Sequence, residues 1–432
     1  MNFHNKLKVI VRGPALSRSG YGVNTRFILR ALRKYEQYYD IYIHNTPWGK
    51  TGWVWEDSEE RRWVDLRIKD TVHWIQNGGT FDISVQCTIP GEFERLAPFN
   101  IGVTAGTETT KISPLWVEKC NQVLNKLIVV SEHTAYAFRN TRYLQHDQSG
   151  NVVAVEKVHT SIEVVNYPVE PVFVEESLKS GQYEKLCQEL NNTLEQLPTK
   201  FNFLLASQWS VRKNFEDTIR WWVDAFRENE QVGLVVKTCL MNNSEIDRSA
   251  TADRLAGFLS SLGERKCSVY LLHGDLVDEQ MATLYQHENI RGIVNISHGE
   301  GFSLPLFEAV SSGLPVVSVN WSGQLDFLCP REQENEEVLF CPVDFELGPI
   351  QENAVWDTVL ERHSLWAYPK EESFKSQLVH FFSNYSQYWD KAQQLKNLVN
   401  RKFEQQKMYD KLVEAFGMLP EVAKNDNIVV VE

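Results

Sequence analysis

The chain has 432 residues, of which 43% are hydrophobic and 23% charged, and this composition excludes a globally disordered or fibrous protein. At roughly 100–200 residues per domain, the length indicates two domains. The 57 acidic residues outnumber the 44 basic residues, so the net charge is −13, which argues against a general nucleic-acid coat or a basic membrane-coating protein.

The opening residues carry only a short apolar run, Val9 to Val11. A secretory signal needs an apolar core of roughly 7–15 residues, and a membrane span needs roughly 20 apolar residues. The sequence offers neither, and its seven scattered cysteines fit reduced thiols better than a disulfide framework or a zinc site. We therefore expect a cytoplasmic protein.

Short β-branched runs alternate with helical patterns twice along the chain. The first half predicts a helix and five buried strands, at Val23–Tyr38 and at Lys6–Val11, Asp40–His44, Asp82–Gln86, Asn100–Thr104 and Leu127–Ser131. The second half predicts strands at Phe201–Ser207, Val232–Lys237, Ser268–Leu272, Gly292–Ser297 and Pro315–Val319, with helical patterns near 215–228, 249–262, 278–288 and 305–312. This alternation predicts an α/β protein with two doubly wound, Rossmann-like domains.

Breaks in the alternation give the predicted domain boundaries. Residues 1–170 form the first Rossmann-like domain, and the polar residues 171–199 form a linker or insertion. Residues 200–370 form the second domain. The helical pattern in 371–432 is too long for one more crossover, so we expect it to return to the first domain before a short tail.

The most informative segment is S-H-G-E-G-F-S-L-P-L-F-E-A, at Ser297–Ala309. A strand ends there, a glycine-containing loop follows, and Pro305 stands at a first helical position. Loop amides and the positive helix end therefore converge at the carboxyl edge of a sheet, where phosphates bind. Glu300 in the loop and Glu308 in the first turn flank this place. The alternative is an ordinary strand–turn–helix in which Glu308 complements the helix dipole.

A second segment, Ser207–Phe215, also joins a strand to a helix and contains Arg212 and Lys213. Two adjacent cations at a sheet edge suit a diphosphate, whose negative charge must be stabilised when it leaves. The chain has no D-x-D pair, so this pattern favours a metal-free site. The alternative is a solvated, charged helix cap.

A third segment, Gly13–Gly22, is a glycine-rich loop that contains Gly20 and Gly22 at a helix start. It does not match G-x-G-x-x-G, so it gives no support for a dinucleotide fingerprint. It remains a candidate ligand loop, and the alternative is a plain strand–helix turn.

A fourth segment, Thr46–Leu66, mixes charged residues with four tryptophans, Trp48, Trp53, Trp55 and Trp63. Flat rings with polar neighbours suit the faces of sugars or an extended acceptor. A base stack, a protein contact and a packed flap without a ligand are the alternatives.

In order and spacing, these segments resemble the retaining nucleotide-sugar glycosyltransferases of the group 1 family. Their hallmark is a Glu, seven intervening residues and a second Glu, which Glu300 and Glu308 match in E-G-F-S-L-P-L-F-E-A. Further family segments resemble Gly274–Gln280, Leu127–Glu132 and Trp366–Pro369, so the resemblance covers nearly the whole chain. It implies the GT-B fold, in which two Rossmann-like domains face a cleft and a C-terminal helix crosses back to the first domain. In this fold, residues 1–170 would form the acceptor-side domain, and residues 200–370 would bind the nucleotide sugar.

The resemblance also implies roles for individual residues. Glu300 would lie beside the donor sugar, Glu308 would hold the nucleotide ribose, and Lys213 with Arg212 would hold the diphosphate. The other donor-binding residues would be Gly20, Gly22, Gly274, Gly301, Phe302, Ser303 and Leu304.

The sequence departs from the family pattern in three places. Ser303 replaces the usual glycine, and Gln208 stands where the family has an arginine, whose role would pass to Arg212. The histidine often found in the first domain is not evident. Glu108, in the same region, is the candidate catalytic residue there.

The implied function is the retaining transfer of a sugar from a nucleoside-diphosphate sugar to a hydroxyl acceptor, without a metal or other cofactor. The acceptor would be a glycan, a lipid-linked glycan, a protein or a small molecule, and Trp48, Trp53 and Trp55 are candidates to bind it. The sequence does not specify the sugar, the nucleotide, the acceptor or the number of subunits.

Two other functions stay open. One is transfer to a hydroxymethylated DNA base, which is suggested by the basic side of the first helix, Arg26, Arg30, Arg33 and Lys34, and is disfavoured by the net charge. The other is a non-catalytic GT-B scaffold, suggested by the departures at Ser303 and Gln208. A peripheral membrane contact through Val23–Tyr38 is a further possibility.

Overall fold

A computed structural model describes residues 6–49, 51–54, 56–147, 149–170, 183–330 and 337–417. The chain divides into two compact units. The first unit comprises residues 1–168, 356–364 and 403–432, and the second comprises 169–355 and 365–402. One predicted acceptor residue, Trp55, lies outside the described residues.

The first unit is an α/β domain whose strands and helices alternate up to residue 164. Its elements are β1 (Leu7–Gly13), α1 (Gly20–Lys34), β2 (Tyr39–Asn45), α2 (Glu59–Gln76), β3 (Ile83–Cys87), β4 (Phe99–Thr104), α3 (Pro114–Val123), β5 (Lys126–Val129), α4 (Glu132–Asn140), β6 (Tyr143–His146), β7 (Val152–Glu156) and β8 (Ser161–Val164).

Six strands of the first unit form a parallel sheet in the order β2-β1-β3-β4-β5-β8. The order reverses between β1 and β3, and open α/β sheets bind ligands at the carboxyl ends of strands at such a switch point. Strand residues such as Val9 and Ile83 are fully buried because helices cover the sheet. Phe27 and Ile28 of α1 are also buried, so these apolar side chains, which suggested a membrane contact, pack in the core of the unit.

The second unit repeats the alternation. Its elements are α5 (Glu184–Glu195), β9 (Phe201–Ala206), α6 (Phe215–Phe226), β10 (Val232–Thr238), α7 (Glu245–Ser261), β11 (Ser268–His273), α8 (Asp278–Gln286), β12 (Ile290–Asn295), α9 (Leu304–Ser312), β13 (Val316–Val319), α10 (Leu325–Leu328), β14 (Cys341–Val343), β15 (Phe345–Pro349), β16 (Leu365–Pro369), α11 (Glu371–Ser383) and α12 (Tyr385–Lys402). The last helix, α13 (Gln405–Phe416), belongs to the first unit.

The six-stranded sheet of the second unit is also parallel, in the order β11-β10-β9-β12-β13-β14. This is the Rossmann order, and its switch point lies between β9 and β12. Aromatic side chains fill the core beside the sheet: the ring of Phe203 lies 5.6 Å from that of Phe226 and 5.4 Å from that of Phe381. The predicted α/β class with two doubly wound domains is confirmed.

The boundaries differ from the prediction in two places. Helix α5 lies within the predicted linker, and its Cys187 and Leu190 are buried, so part of that segment is a packed element of the second unit. Helices α11 and α12 also belong to the second unit, because Phe374, Leu378 and Phe381 fill its core. After the segment 356–364, the chain therefore enters the first unit again at residue 403 and not at 371.

The return to the first unit is made by α13. Its Tyr409 ring stacks on Phe27 at 5.9 Å between centroids, and Asp410 accepts a hydrogen bond of 2.7 Å from the Tyr35 hydroxyl. Among the described helices, none has the length and the apolar character that crossing a membrane requires.

Candidate active site

Two loops of the second unit meet at the switch point of its sheet. The loop after β9 carries Arg212 and Lys213, and the loop after β12 carries Glu300. Because the two strands are hydrogen-bonded neighbours, the ends of both strands bring these three side chains together. We call Arg212, Lys213 and Glu300 the ionic cluster.

The carboxylate of Glu300 is the centre of the ionic cluster. Glu300 is only 4% exposed. The Lys213 ammonium donates to both carboxylate oxygens, at 2.6 and 2.8 Å. The Arg212 guanidinium lies 3.4 Å from one oxygen, and the Ser297 hydroxyl donates to the other at 2.6 Å. Both oxygens of Glu300 are thus engaged by the protein itself.

The electrostatics of the cluster keep Glu300 ionised. Burial alone would raise the pKa of this carboxyl, but the charges of Lys213 and Arg212 outweigh burial and lower its pKa to about 2. The cluster therefore carries one negative and two positive charges at neutral pH, a net charge of +1. A site of this kind suits an anionic ligand.

His298 ties the two loops to the rest of the second unit. Its backbone N–H donates to the Arg212 carbonyl at 2.9 Å, and its carbonyl accepts from the Ala367 N–H at 2.9 Å. Its imidazole stacks on Trp366 at 4.8 Å between centroids, and its Nδ1 lies 2.6 Å from the Ala367 carbonyl oxygen. The Arg212 guanidinium also joins the two loops, because it donates a 3.0 Å hydrogen bond to the Gly299 carbonyl.

The segment after β13 supports the Glu300 loop from the other side. The Ser322 hydroxyl accepts from the Glu300 N–H at 3.0 Å and donates to the Gln324 side chain at 2.7 Å. Gly323 donates its N–H to the Glu300 carbonyl at 3.0 Å. A Cβ on Gly323 would collide with the Gly301 backbone, so this approach requires glycine.

The same loop leads into the amino terminus of α9, which no side chain caps. Gly301, Phe302 and Ser303 are buried, and Leu304 is half-buried. Ser303 has a φ of +75° and accepts a 3.1 Å hydrogen bond from the Asn295 amide. An uncapped helix start presents N–H groups and a partial positive charge, which suit a phosphate.

Glu308 lies in the second turn of α9, not in the first as predicted. Its side chain is exposed and accepts a 3.1 Å hydrogen bond from the Tyr285 hydroxyl. An accessible carboxylate fixed by a buried tyrosine can accept hydrogen bonds from ligand hydroxyls. The structure thus places Glu308 and Glu300 on one loop–helix segment with different surroundings, one accessible and one enclosed.

Gly274 follows β11, and a buried, hydrogen-bonded pair of side chains, Asp247 and His273, holds the loop beside it. Asp247 accepts hydrogen bonds from the backbone N–H groups of Leu240 at 3.1 Å and Met241 at 2.9 Å, and its carboxylate lies 2.8 Å from His273 Nε2. Gly274 has a φ of +96°, which favours glycine. The Asp247–His273 pair fixes the ends of β10 and β11 at the sheet edge that holds the ionic cluster.

In the first unit, the structure gives the glycine loop a packing role. A Cβ on Gly22 would collide with the Ser17 carbonyl, and the Gly22 N–H donates to the Ser19 hydroxyl at 3.1 Å. Gly20 is exposed at the start of α1. The sequence prediction that both glycines bind the donor is not tested by this packing and stays a prediction.

The aromatic segment pairs with the loop after β1. The Trp48 ring lies 4.2 Å from the Tyr21 ring, and the Tyr21 hydroxyl is hydrogen-bonded to Thr104 at 2.8 Å. Trp53 forms a backbone bridge with Ser17 and is 45% exposed. Trp48 and Trp53 therefore lie at the carboxyl edge of the first sheet.

Trp63 does not belong to that edge, because residues 59–76 form helix α2, which the sequence did not predict. Its ring lies under the Arg33 guanidinium, 5.1 Å away. The signal for α2 is weak because only Val64 and Thr71 of this helix are buried.

Glu108 lies half-buried in the loop after β4, at the same carboxyl edge of the first sheet. The basic side of α1, in contrast, is engaged internally. Arg30 pairs with Glu60 at 2.5 Å, Arg33 with Glu59 at 2.6 Å, and Arg26 donates to the Ser17 carbonyl at 2.7 Å. These contacts remove the reason for expecting this helix to grip nucleic-acid phosphates.

The polar groups that enclose Glu300, namely Ser297, Asn295 and Ser322, were not predicted from the sequence, and neither was the Asp247–His273 pair. A signal existed for the first two, because Asn295 and Ser297 interrupt an apolar buried strand just before the glycine loop. No local sequence pattern predicts the role of Ser322 or the Asp247–His273 pair. Ser322 is distant in sequence from Glu300, and Asp247 is distant from His273. Within the described ranges, no group of three or more His, Cys, Asp or Glu side chains is placed to hold a metal ion.

Solved structures with the same architecture are glycosyltransferases. HepE of Anabaena, in complex with UDP and glucose, has a TM-score of 0.58 at 12% identity, and the match covers 96% of this chain and 100% of HepE. Sucrose-phosphate synthase of Thermosynechococcus elongatus has a TM-score of 0.59 at 12% identity, with 95% and 98% covered. The α,α-trehalose 6-phosphate synthase of Burkholderia multivorans has a TM-score of 0.56 at 8% identity, with 98% and 100% covered.

These similarities extend over both units and show that the chain has the GT-B fold, as the sequence analysis predicted. No family profile matches the sequence, and no curated protein matches it. At such low identity the similarity shows the fold, and the function must be argued from the site.

Proposed function

We propose that this chain is a retaining glycosyltransferase that moves a hexose from a nucleoside-diphosphate sugar to a hydroxyl acceptor. The observation that carries the proposal is the ionic cluster, enclosed at the switch point of the second sheet beside an uncapped helix start. The shared fold with HepE, which is solved with UDP and glucose, supports the donor class.

The diphosphate would bind where the positive charges converge. Lys213 and Arg212 supply two cations, and the first turn of α9 supplies backbone N–H groups. Glu308 would accept hydrogen bonds from the ribose hydroxyls, because its carboxylate is accessible and is already oriented by Tyr285. The Asp247–His273 pair would fix the loop that contacts the base.

The proposed reaction breaks the bond between the sugar C1 and the diphosphate oxygen and forms a bond between C1 and the acceptor oxygen on the same face. The electron pair of the broken bond leaves with the diphosphate, and the acceptor proton passes to a phosphate oxygen. Negative charge grows on the diphosphate as the bond breaks, so cations held in place beforehand lower the barrier. In this proposal, Lys213 and Arg212 of the ionic cluster supply these fixed cations.

Glu300 acts in this proposal as a positioning residue. Both of its oxygens are bonded to Lys213, Arg212 or Ser297, and it is buried, so its geometry does not favour nucleophilic attack on C1. It holds the two cations in a fixed orientation and balances part of their charge. This arrangement favours front-face attack over a covalent glycosyl–enzyme intermediate.

We further propose that transfer needs no metal, because Arg212, Lys213 and the helix start can supply the positive charge that a metal would otherwise bring. The acceptor would meet the carboxyl edge of the first sheet. There, Trp48 and Trp53 offer flat apolar faces, and Tyr21, Thr104 and Glu108 offer polar groups. These features suit a hydroxyl-bearing acceptor with sugar rings.

A panel of sugar nucleotides tests the proposal. UDP-, GDP-, ADP- and dTDP-sugars are scored for thermal stabilisation and for slow diphosphate release, each with and without EDTA. Ligand at about 100 times its Kd should add roughly 2.7 kcal/mol to the free energy of unfolding. We expect one nucleotide class to stabilise the protein regardless of EDTA.

The matched control is Arg30→Ala, which breaks a half-buried ion pair of the first unit and leaves the ionic cluster intact. It should retain the full ligand response, whereas Lys213→Met should lose it. No stabilisation by any sugar nucleotide, together with no diphosphate release, would overturn the proposed function.

A further inference from the structure

One lysine near the end of strand β10 lacks a polar partner. Lys237 is the penultimate residue of this strand and is half-buried. Within the part of the chain that the structure describes, its ammonium group forms no hydrogen bond and no ion pair. Lysines that are withdrawn from water are usually paired, so a ligand group can supply the partner that the protein does not.

The register of the strands fixes the face of the sheet on which Lys237 lies. Its neighbour in β10, Val236, belongs to the hydrophobic core that α6 and α11 fill. Side chains alternate along a strand, so Lys237 points to the opposite face. Ala206 of β9, which stands beside Lys237 in the parallel register, shares that face.

The same face carries Glu308. On β12, Val294 lies in the core that α6 and α11 fill, so Asn295 lies on the opposite face, where its amide donates to Ser303 at the start of α9 at 3.1 Å. Helices α8 and α9 pack on β12 and on each other. Lys237 lies close enough to α9 for its charge to act on the Glu308 carboxylate.

The order of the strands places Lys237 beyond the ionic cluster. Strands β12, β9, β10 and β11 are neighbours in that order, and the ionic cluster stands at the ends of β12 and β9. Lys237 stands one strand further, directly before the loop that Asp247 fixes. In the proposed function, the ionic cluster holds the diphosphate and Glu308 holds the ribose. The part of the donor that remains for Lys237 is the base.

We propose that Lys237 selects the nucleotide of the donor by donating a hydrogen bond to a keto oxygen of the base. An ammonium group has three N–H donors and no acceptor. It can therefore pair with a keto oxygen, as uracil and guanine carry, and it rejects the amino group that cytosine and adenine carry in the same place. This inference rests on the proposed function and names the class of donor, a sugar on a keto-bearing nucleoside diphosphate.

Calorimetric titration of the full chain with two matched pairs of nucleoside diphosphates tests the proposal. UDP differs from CDP, and IDP from ADP, by a keto oxygen in place of an amino group on the base. We expect the wild type to bind the keto member of at least one pair about tenfold more tightly than the amino member. The reason is that an amino group would leave the donors of Lys237 unpaired.

Two variants of Lys237 give the sharpest comparison. Lys237→Met removes the ammonium group, so it should weaken binding of the keto member about tenfold and leave binding of the amino member unchanged. Lys237→Gln carries an amide that both donates and accepts, so it should bind the two members with about equal affinity. Thermal melting checks that each variant is folded.

Lys266→Met is the matched control. Lys266 lies two residues before β11, at the opposite edge of the same sheet, and pairs with Glu228 at 2.9 Å. Its variant should keep the preference of the wild type. Inorganic pyrophosphate is a second control, because it has no base: Lys237→Met should bind it like the wild type, whereas Lys213→Met should bind it more weakly.

The possible failures are distinguishable. If the wild type binds diphosphates without a keto preference, or Lys237→Met keeps that preference, the role of Lys237 is overturned and the proposed function stands. A Lys237→Met variant that loses affinity equally for both members of a pair, or for pyrophosphate, would show that Lys237 contacts the ribose or the diphosphate instead of the base. A wild-type chain that binds no nucleoside diphosphate would overturn both proposals.

Discussion

The carboxyl edges of the two sheets have the same place in the fold but opposite chemistry. At the edge of the second sheet, ionised side chains are enclosed and paired in the ionic cluster, and the Asp247 carboxylate is hydrogen-bonded to His273. At the edge of the first sheet, where Glu108 also lies, several contacts join neutral groups: Tyr21 with Thr104, Tyr21 with Trp48, and Ser17 with Thr51. One edge is suited to a charged ligand and the other to a neutral, hydroxyl-rich one.

This contrast explains how two domains of similar architecture can serve two different substrates, a charged donor and a neutral acceptor. Enclosed ion pairs are costly to assemble in water-excluded surroundings and are strongly oriented once formed. They can therefore stabilise a leaving diphosphate without reorganising during the reaction. Neutral hydroxyls and aromatic faces bind sugars without competing for the same charge. The following predictions test whether the two edges are separate in this way.

The largest effect should come from the ionic cluster. Lys213→Met leaves the buried Glu300 carboxylate with Arg212 as its nearest cation, at 3.4 Å, so it should lower the free energy of unfolding by about 3 kcal/mol and abolish transfer. The double variant Lys213→Met/Glu300→Gln removes both charges, so we expect most of the stability to return while transfer stays absent. Urea unfolding and diphosphate release measure the two effects separately.

The double variant separates support of the fold from support of the reaction. Transfer at the wild-type rate in the double variant would contradict the role of the ionic cluster. Arg30→Ala serves as the control in the first unit, where a broken ion pair should leave both donor binding and transfer unchanged.

A smaller effect is expected at the Asp247–His273 pair. Asp247→Ala removes the acceptor for two backbone N–H groups and for His273, so the loop after β10 should lose its fixed position. Because hydrogen bonds to a charged group contribute about 1.5–3 kcal/mol, the donor KM should rise about tenfold while kcat changes little. An unchanged KM, or an equal loss in kcat, would show that this loop does not position the donor.

Acid should act on both units before it protonates Glu300. In the second unit, burial lowers the pKa of His298 and His287, so this unit also loses stability as the pH falls below 6.5. In the first unit, the group concerned is His133. Burial lowers the pKa of His133 from 6.5 to about 4, so the unfolded chain takes up its proton more readily, and stability falls as the pH drops from 6.5 to 4. The pKa of Glu300 is lowered from 4.5 to about 2, so its contribution is fully present above pH 4.5 and is lost only between 4.5 and 2. Hydrogen exchange of peptides from each unit can follow both windows.

The variants sharpen this pH prediction. His133→Gln should reduce the loss of protection in the first unit between pH 6.5 and 4, and Lys213→Met/Glu300→Gln should leave that window unchanged. A double variant that altered the window from pH 6.5 to 4 would contradict the assignment of the two titrations to different units.

The smallest effect concerns Ser303, which adopts a φ of +75°. Ser303→Gly relieves a conformation that costs a non-glycine residue about 1–2 kcal/mol, but it also removes the hydroxyl that accepts from Asn295. We expect a gain in stability of no more than about 1 kcal/mol, with transfer retained. A loss of transfer would show that the hydroxyl takes part in the reaction.

Ser322→Gly is the matched control for Ser303→Gly. Ser322 has the same φ of +75°, but its hydroxyl both accepts from the Glu300 N–H and donates to Gln324. Melting temperatures should therefore fall for Ser322→Gly and rise or stay level for Ser303→Gly.

Much of the fold could be predicted from the sequence, because buried parallel strands are continuous apolar runs. All ten predicted strands are present, whereas the last strand of each sheet was missed. Strand β8 alternates between exposed and half-buried positions, and β14 is only three residues long and contains Pro342. Helix α2 was missed because its apolar residues do not share one face.

The error at residue 371 has a related cause. Phe374, Leu378 and Phe381 follow the spacing of a helix with one buried face, and the sequence predicted helical structure in this segment. Such a spacing indicates that one face of the helix is buried, but it does not indicate which domain covers that face. The assignment of α11 and α12 to the second unit therefore needed the structure.

The residues of the candidate active site also divide into those that the sequence predicted and those that needed the structure. The glycine loop and the Arg212–Lys213 pair were visible because each follows a strand at the edge where ligands bind. The enclosure of Glu300 was not visible, because Asn295, Ser297 and Ser322 are ordinary polar residues until the fold brings them to one carboxylate.

The most direct test of the account is calorimetric titration of UDP and of the other nucleoside diphosphates into the wild-type chain, Lys213→Met/Glu300→Gln and Arg30→Ala. We predict that one diphosphate binds the wild type and Arg30→Ala with equal affinity, and that it does not bind Lys213→Met/Glu300→Gln. Equal binding to all three proteins would contradict the claim that the edge of the second sheet, through its ionic cluster, holds the donor.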